Sequence, residues 1–187
     1  LPEEDMPFQA DGRAVDIVEA LAVFDDGRGP ALYASLVQFV PPMGINFVAR
    51  WDGISWSILY SGEPGGPYVL AALDDGTGPA LYAGGEFESF GGVAANRIAR
   101  WDGITWSALG TGLGSQLGDS VQALVVFDGG SGPALFAGGY FLRAGGRTVN
   151  HIARWDGSSW NALGGGVDDG VAALAVFDDG SGPALYA

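Results

Sequence analysis

The chain of 187 residues carries 22 acidic and 8 basic side chains, for a formal charge of −14, and contains no cysteine. Disulfides and thiolate metal sites are therefore excluded, and a field of this sign without a basic stripe argues against a nucleic-acid partner. The 33 glycines and 10 prolines approach the composition of disordered chains, but 48% hydrophobic and 12% aromatic residues supply the apolar surface of a packed, turn-rich β protein. No apolar run reaches the length of a membrane-spanning helix.

Residues 1–17, opening Leu1-Pro2-Glu3-Glu4-Asp5, match nothing that follows. They read as a leader or edge segment, and their acidic start as that of a processed or internal piece of chain. A repeat begins at residue 18. In its first copy, 18–67, Glu19 to Asp26 predicts a strand, Asp25-Asp26-Gly27-Arg28-Gly29-Pro30 a turn and Ala31 to Val37 a second strand. A loop with Pro41-Pro42 follows, then strands from Asn46 to Trp51 and Ser55 to Tyr60. The second copy, 68–120, has the turn Asp74-Asp75-Gly76-Thr77-Gly78-Pro79, then Ala80-Leu81-Tyr82-Ala83-Gly84-Gly85 and a third strand from Arg97 to Trp101. The third, 121–170, repeats this with Asp128-Gly129-Gly130-Ser131-Gly132-Pro133 and a strand from His151 to Trp155. The fourth, 171–187, covers two strands joined by the turn at Asp178-Asp179.

Trp51, Trp101 and Trp155 stand 50 and 54 positions apart, and the turn prolines Pro30, Pro79, Pro133 and Pro183 stand 49, 54 and 50 apart. A period near fifty with four short strands per unit predicts an all-β propeller of four-stranded blades, about three and a half of them here. The order of a first strand, Ala-Leu-Tyr-Ala-Gly-Gly, Arg-Trp-Asp-Gly and a following Trp resembles the kelch repeat of galactose-oxidase-type propellers. It is also similar to repeats in large secreted bacterial proteins. Two features depart from that pattern: Ser35-Leu36 replaces Gly-Gly in the first copy, and the Asp-Gly-x-Gly-Pro turn belongs to this chain. The resemblance implies the fold. Copper oxidase chemistry does not come with it, because the Cys crosslink and the His and Tyr ligand set are lacking.

The candidate functional residues recur with the repeat. A blade must cover both faces with its neighbours, so Trp51, Trp56, Trp101, Trp106, Trp155 and Trp160 read as inter-blade packing residues rather than sugar-stacking platforms. Arg50, Arg100 and Arg154 precede the turn Trp in each complete copy; they predict stacking or carboxylate pairing with a neighbour, with lining of an anion-binding channel as the alternative. The carboxylates Asp25, Asp26, Asp74, Asp75, Asp128, Asp178 and Asp179 are hard oxygen ligands on glycine-rich turns and the one candidate set for Ca²⁺; the competing reading is local capping of the turn backbone. Asp52, Asp102 and Asp156 read as turn residues. His151, the only histidine, stands where other copies have Phe47 and Arg97 and has no nucleophile motif to work with. No other cofactor is expected.

These residues predict a non-catalytic extracellular or cell-surface bacterial scaffold that binds a glycan or protein ligand. The second reading is a self-assembling unit joined through the half-blade at 171–187, as a homo-oligomer or polymer, and the third a carboxylate-based hydrolase or lyase. No Asn-x-Ser/Thr sequon is present.

Overall fold

In the computed structural model, residues 15–40, 43–62, 65–114 and 116–187 are described. They form an all-β structure of antiparallel sheets, none of which closes on itself. Among the described residues, no helix is long and apolar enough to cross a membrane. The loop read at Pro41-Pro42 and most of the leader lie outside the described residues.

Sheet I contains β1 (Val15–Asp25), β2 (Pro30–Val40), β3 (Met43–Trp51) and β4 (Trp56–Gly62), paired in that order. Its first strand thus starts inside the segment read as a leader. Sheet II contains β5 (Pro67–Asp74) and β6 (Pro79–Gly85). A small hairpin of β7 (Ser89–Phe90) and β8 (Val93–Ala94) follows, and then β9 (Ile98–Trp101) and β10 (Trp106–Ala108) complete the sheet beside β6. Sheet III repeats this plan with β11 (Ser120–Asp128), β12 (Pro133–Tyr140), the hairpin β13 (Arg143–Ala144) and β14 (Arg147–Thr148), then β15 (Ile152–Trp155) and β16 (Trp160–Ala162). Hairpin IV is β17 (Ala175–Asp178) with β18 (Pro183–Tyr186).

The first strands β1, β5 and β11 each carry a register break at the same place, between Val18 and Ala20, Pro67 and Val69, and Val121 and Ala123. Such a bulge bends the strand and increases its twist. The strands of one sheet pack against those of the next, β1 on β5 and β5 on β11. Two cores result. Phe24, Tyr33 and Val48 of sheet I meet Leu81, Ala99, Trp101 and Trp106 of sheet II. Leu73, Tyr82 and Ile98 of sheet II meet Leu135, Ala153, Trp155 and Trp160 of sheet III. Sheet II therefore shows alternate residues to two neighbours, as the two-residue period of a strand requires.

The Gly-Gly pair permits that approach. A Cβ on Gly84 would stand 2.6 Å from Val121 Cγ1 of sheet III, and within sheet III one on Gly139 would stand 2.1 Å from the Ser120 carbonyl oxygen of the paired strand. Sheet I manages without glycine because Ser35, fully buried at the position of Gly84, donates its hydroxyl to the Pro67 carbonyl of the next sheet. Leu36 beside it enters a separate small cluster with Phe47, Ala49 and Trp56 on the outer face of sheet I.

Candidate functional site

Each acidic turn is fixed by its first aspartate. Asp74 Oδ1 accepts the N–H groups of Gly76 at 2.9 Å and Gly78 at 3.2 Å. Asp25, Asp128 and Asp178 accept the equivalent pairs. Gly76 and Gly78 stand at φ of 92° and 108°, a region that only glycine enters at low cost.

In sheet II the second aspartate joins the sheet to the next. Asp75 Oδ1 accepts from the Thr77 backbone and hydroxyl, and its Oδ2 accepts the Trp155 indole N–H of sheet III at 3.0 Å. Beside this contact the Trp-Asp-Gly turn packs so closely that a Cβ on Gly157 would lie 2.5 Å from the Asp75 carbonyl. Burial alone would raise the Asp75 pKa, but the bonds from Thr77 and Trp155 outweigh it and hold the carboxyl below its ordinary value. In sheet I, Asp26 instead holds Arg28, the Tyr33 hydroxyl at 2.9 Å and Arg50 at 3.1 Å. Its pKa falls to about 2, because these bonds and the nearby Arg50 overcome the upward push of burial. Burial, followed by the hydrogen bond to Asp26, lifts Tyr33 to about 12.

The three repeated arginines all reach the acidic turn of their own sheet. Arg50 pairs with Asp26, Arg100 donates to Thr77 Oγ1 and the Gly78 carbonyl at 3.0 Å each, and Arg154 donates to Ser131 Oγ at 3.2 Å. Asp52, Asp102 and Asp156 cap the turns between the two tryptophans. Asp156 Oδ1 accepts the Ser158 and Ser159 N–H groups at 3.0 and 2.8 Å, and the Ser159 N–H leads the causes that lower its pKa. Among the described residues, no three acidic or histidine side chains gather into a group able to hold a metal ion.

His151 and Arg97 occupy equivalent places, both in the left-handed region with φ of 69° and 64°. The His151 N–H donates to Phe141 and its carbonyl accepts from Gly139, while the Nδ1 atom is buried without a partner. Arg97 uses its buried guanidinium to hold the carbonyls of Asp119 and Gln116, both at 2.7 Å, and of Phe87 at 3.2 Å. This fixes the connection between sheets II and III. The left-handed residue that opens the third strand of a copy was missed in the sequence, since neither Arg nor His signals that conformation.

Between sheets I and II lies an open cavity of about 610 Å³, lined by Leu59, Tyr60 and Ser61 of β4 and by Trp101, Thr105 and Trp106 of the β9–β10 hairpin. The Gly91–Gly92 turn forms its other wall. Tyr60 is held upright by stacking on Phe90, with ring centroids 3.9 Å apart. At the next junction Leu109 is buried in the core, and its carbonyl accepts the Trp160 indole N–H at 3.2 Å. The difference follows from strand length: β4 runs on to Gly62, whereas β10 ends at Ala108 and lets Leu109 turn inward. Nothing in the repeat pattern singled out Tyr60 or Ser61; the longer fourth strand of the first copy was the available signal. No family model, curated protein or solved structure matches the chain.

Proposed function

We propose that the chain is a non-catalytic binding scaffold of propeller type, with sheets I to III as four-stranded blades and hairpin IV as half of another. Its binding site is the cavity between sheets I and II, and its ligand is a neutral saccharide. The blade reading is supported by successive sheets built on one plan whose first strands pack on one another. The arginines and the doublet carboxylates are held within separate turns, which favours a scaffold over an acid–base catalyst.

One observation carries the ligand class. The cavity wall combines the half-buried Tyr60 ring and the rims of the buried Trp101 and Trp106 with Ser61 and Thr105, and no charged side chain lines it. A pyranose offers the matching chemistry, an apolar C–H face with hydroxyl edges and no charge. An extracellular or cell-surface setting accompanies this reading, supported by the likeness of the repeats to those of secreted bacterial proteins.

Titration with neutral oligosaccharides, followed by tryptophan emission, tests it. Saturable binding is expected, and the double variant Ser61→Ala/Thr105→Ala should weaken it about tenfold through loss of hydrogen bonds. Saccharides that leave the emission unchanged, or that bind the double variant equally well, overturn the assignment.

A further inference from the structure

An aspartate followed by glycine can modify itself, because the glycine nitrogen has no neighbouring side chain to shield it and stands within reach of the carboxyl before it. Eight such pairs occur among the described residues. Seven lie in the acidic turns and in the turns between tryptophans, and all seven are held in one way. The aspartate Oδ1 accepts the N–H group two residues on, at 2.8 to 3.1 Å, as Asp75 does from Thr77 and Asp156 from Ser158. That bond commits the carboxyl to the turn backbone and aims it past the adjacent glycine.

The eighth pair is Asp169-Gly170, in the connection from β16 to β17. Here Oδ1 accepts the N–H of Gly170 itself, at 2.7 Å. The carboxyl therefore closes on its own successor, and the Cγ carbon is one bond from the oxygen that the Gly170 nitrogen already meets. Packing fixes both flanks of this contact. The Val167 N–H donates to the Asn150 carbonyl at 3.0 Å and the Val171 N–H to the Gly139 carbonyl at 3.3 Å. Gly170 itself lies against the Tyr140 ring, where an added Cβ would stand 2.2 Å from Cε1. The contact is between adjacent residues, and its anchors Gly139, Tyr140 and Asn150 all belong to the third copy of the repeat.

We propose that Asp169 is a site of spontaneous isomerisation to isoaspartate, singled out from the other seven pairs by the fold. The Gly170 nitrogen forms a bond to Asp169 Cγ, and one carboxyl oxygen leaves as water with the amide proton and one proton from solvent. A five-membered succinimide results. Water then adds at the former main-chain carbonyl carbon of Asp169 and breaks its bond to the Gly170 nitrogen, which takes one proton of that water. The carbon keeps the oxygen as a free carboxylate, the second proton returns to solvent, and the chain now runs through Cγ. The net change moves one methylene from side chain to main chain and consumes no other reactant. Holding nitrogen and carboxyl in contact favours the first step, since it replaces a search over side-chain rotamers. The added main-chain atom enters between the bonds made by Val167 and Val171, so the product loosens the seat of Val171 against Gly138 of sheet III.

The test is storage of the 187-residue chain in warm neutral buffer, with far-UV circular dichroism to follow the fold. Digests taken over weeks are read by electron-transfer fragmentation, which distinguishes isoaspartate from aspartate at each position. Position 169 should gain isoaspartate about tenfold or more faster than any of the other seven pairs. In denaturant, which removes the turn bonds and the Gly170 contact alike, the eight pairs should react at similar rates. Asp169→Glu, whose longer side chain would have to close a six-membered ring, should abolish the change at 169 and leave the other positions as they were. The proposal is overturned if position 169 reacts no faster than the others in the folded chain, or if the signal assigned to it survives Asp169→Glu. It is also overturned if 169 leads by the same margin in denaturant, since local sequence and not the fold would then select it.

Discussion

At the junction of sheets II and III, Asp75 Oδ2 accepts the Trp155 indole N–H. At the junction of sheets I and II, the equivalent oxygen of Asp26 is taken by Arg28, Tyr33 and Arg50, and the Trp101 N–H is buried without a partner. The second tryptophan behaves alike: Trp160 donates to the Leu109 carbonyl, while the Trp106 N–H has no partner beside the open cavity. One residue accounts for much of the first difference. Arg28 stands where sheet II has Thr77, and its guanidinium reaches back to the carboxylate that a threonine leaves free on one side. The same repeat thus makes one sealed junction and one loose one, and the loose one holds the cavity.

The largest effect that could break this comparison is removal of a second tryptophan. Trp160 is 1% exposed, so Trp160→Ala should cost about 3–5 kcal/mol for lost burial and the cavity left behind. It also strands the Leu109 carbonyl in the core. Trp106→Ala strands no acceptor and removes an unpartnered N–H, so it should cost less by about 1 kcal/mol. Urea unfolding of both variants checks the difference, and equal losses would mean that the indole bond contributes nothing.

A smaller effect isolates the carboxylate. A double-mutant cycle between Asp75→Ala and Trp155→Phe should give a coupling of about 1.5 kcal/mol, the low end for a hydrogen bond to a charged group because the carboxylate is partly in contact with water. The same cycle between Asp26→Ala and Trp101→Phe should give a coupling near zero, because that indole makes no bond to lose. A coupling of equal size at the two sites would show that Arg28 does not displace Trp101.

How much of this was legible in the sequence depends on whether a signal was repeated. The acidic turns, the strands ending at Trp51, Trp101 and Trp155 and the hairpins between the tryptophans could be read because turn chemistry and spacing recur together. The doublets could be seen but not resolved into two jobs, since capping by Asp74 and bridging by Asp75 differ only in what stands across the junction. The arginines were read toward neighbouring sheets or a channel, and they fold back onto their own turns, because β9 and β15 pair next to the strands those turns open. The hairpins β7–β8 and β13–β14 escaped, being two-residue strands without alternation. The cavity escaped because it depends on how far β4 runs, a property of one copy that no period reports.

The third sheet offers a way to write the missing signal back. Asp128 is followed by Gly129, so the capping carboxylate is present and the bridging one is not, and Arg154 rests on Ser131 alone. An added Cβ at position 129 would meet only Phe127 Cε1 at 3.6 Å, an ordinary contact, and the residue lies outside the left-handed region. Gly129→Asp should therefore fit. Its carboxylate would accept from Ser131 as Asp179 accepts from Ser181, and would face Arg154 as Asp26 faces Arg50. Replacing glycine where the backbone permits reduces the entropy of the unfolded chain by about 0.4–1 kcal/mol, and an exposed pair adds a few tenths. The expected gain is about 1 kcal/mol, visible as a higher midpoint in chemical denaturation. Gly129→Ala separates the two terms, since it keeps the entropic gain and lacks the carboxylate. If both variants gain equally, the second aspartate stabilises a sheet only when an indole from the next sheet reaches it.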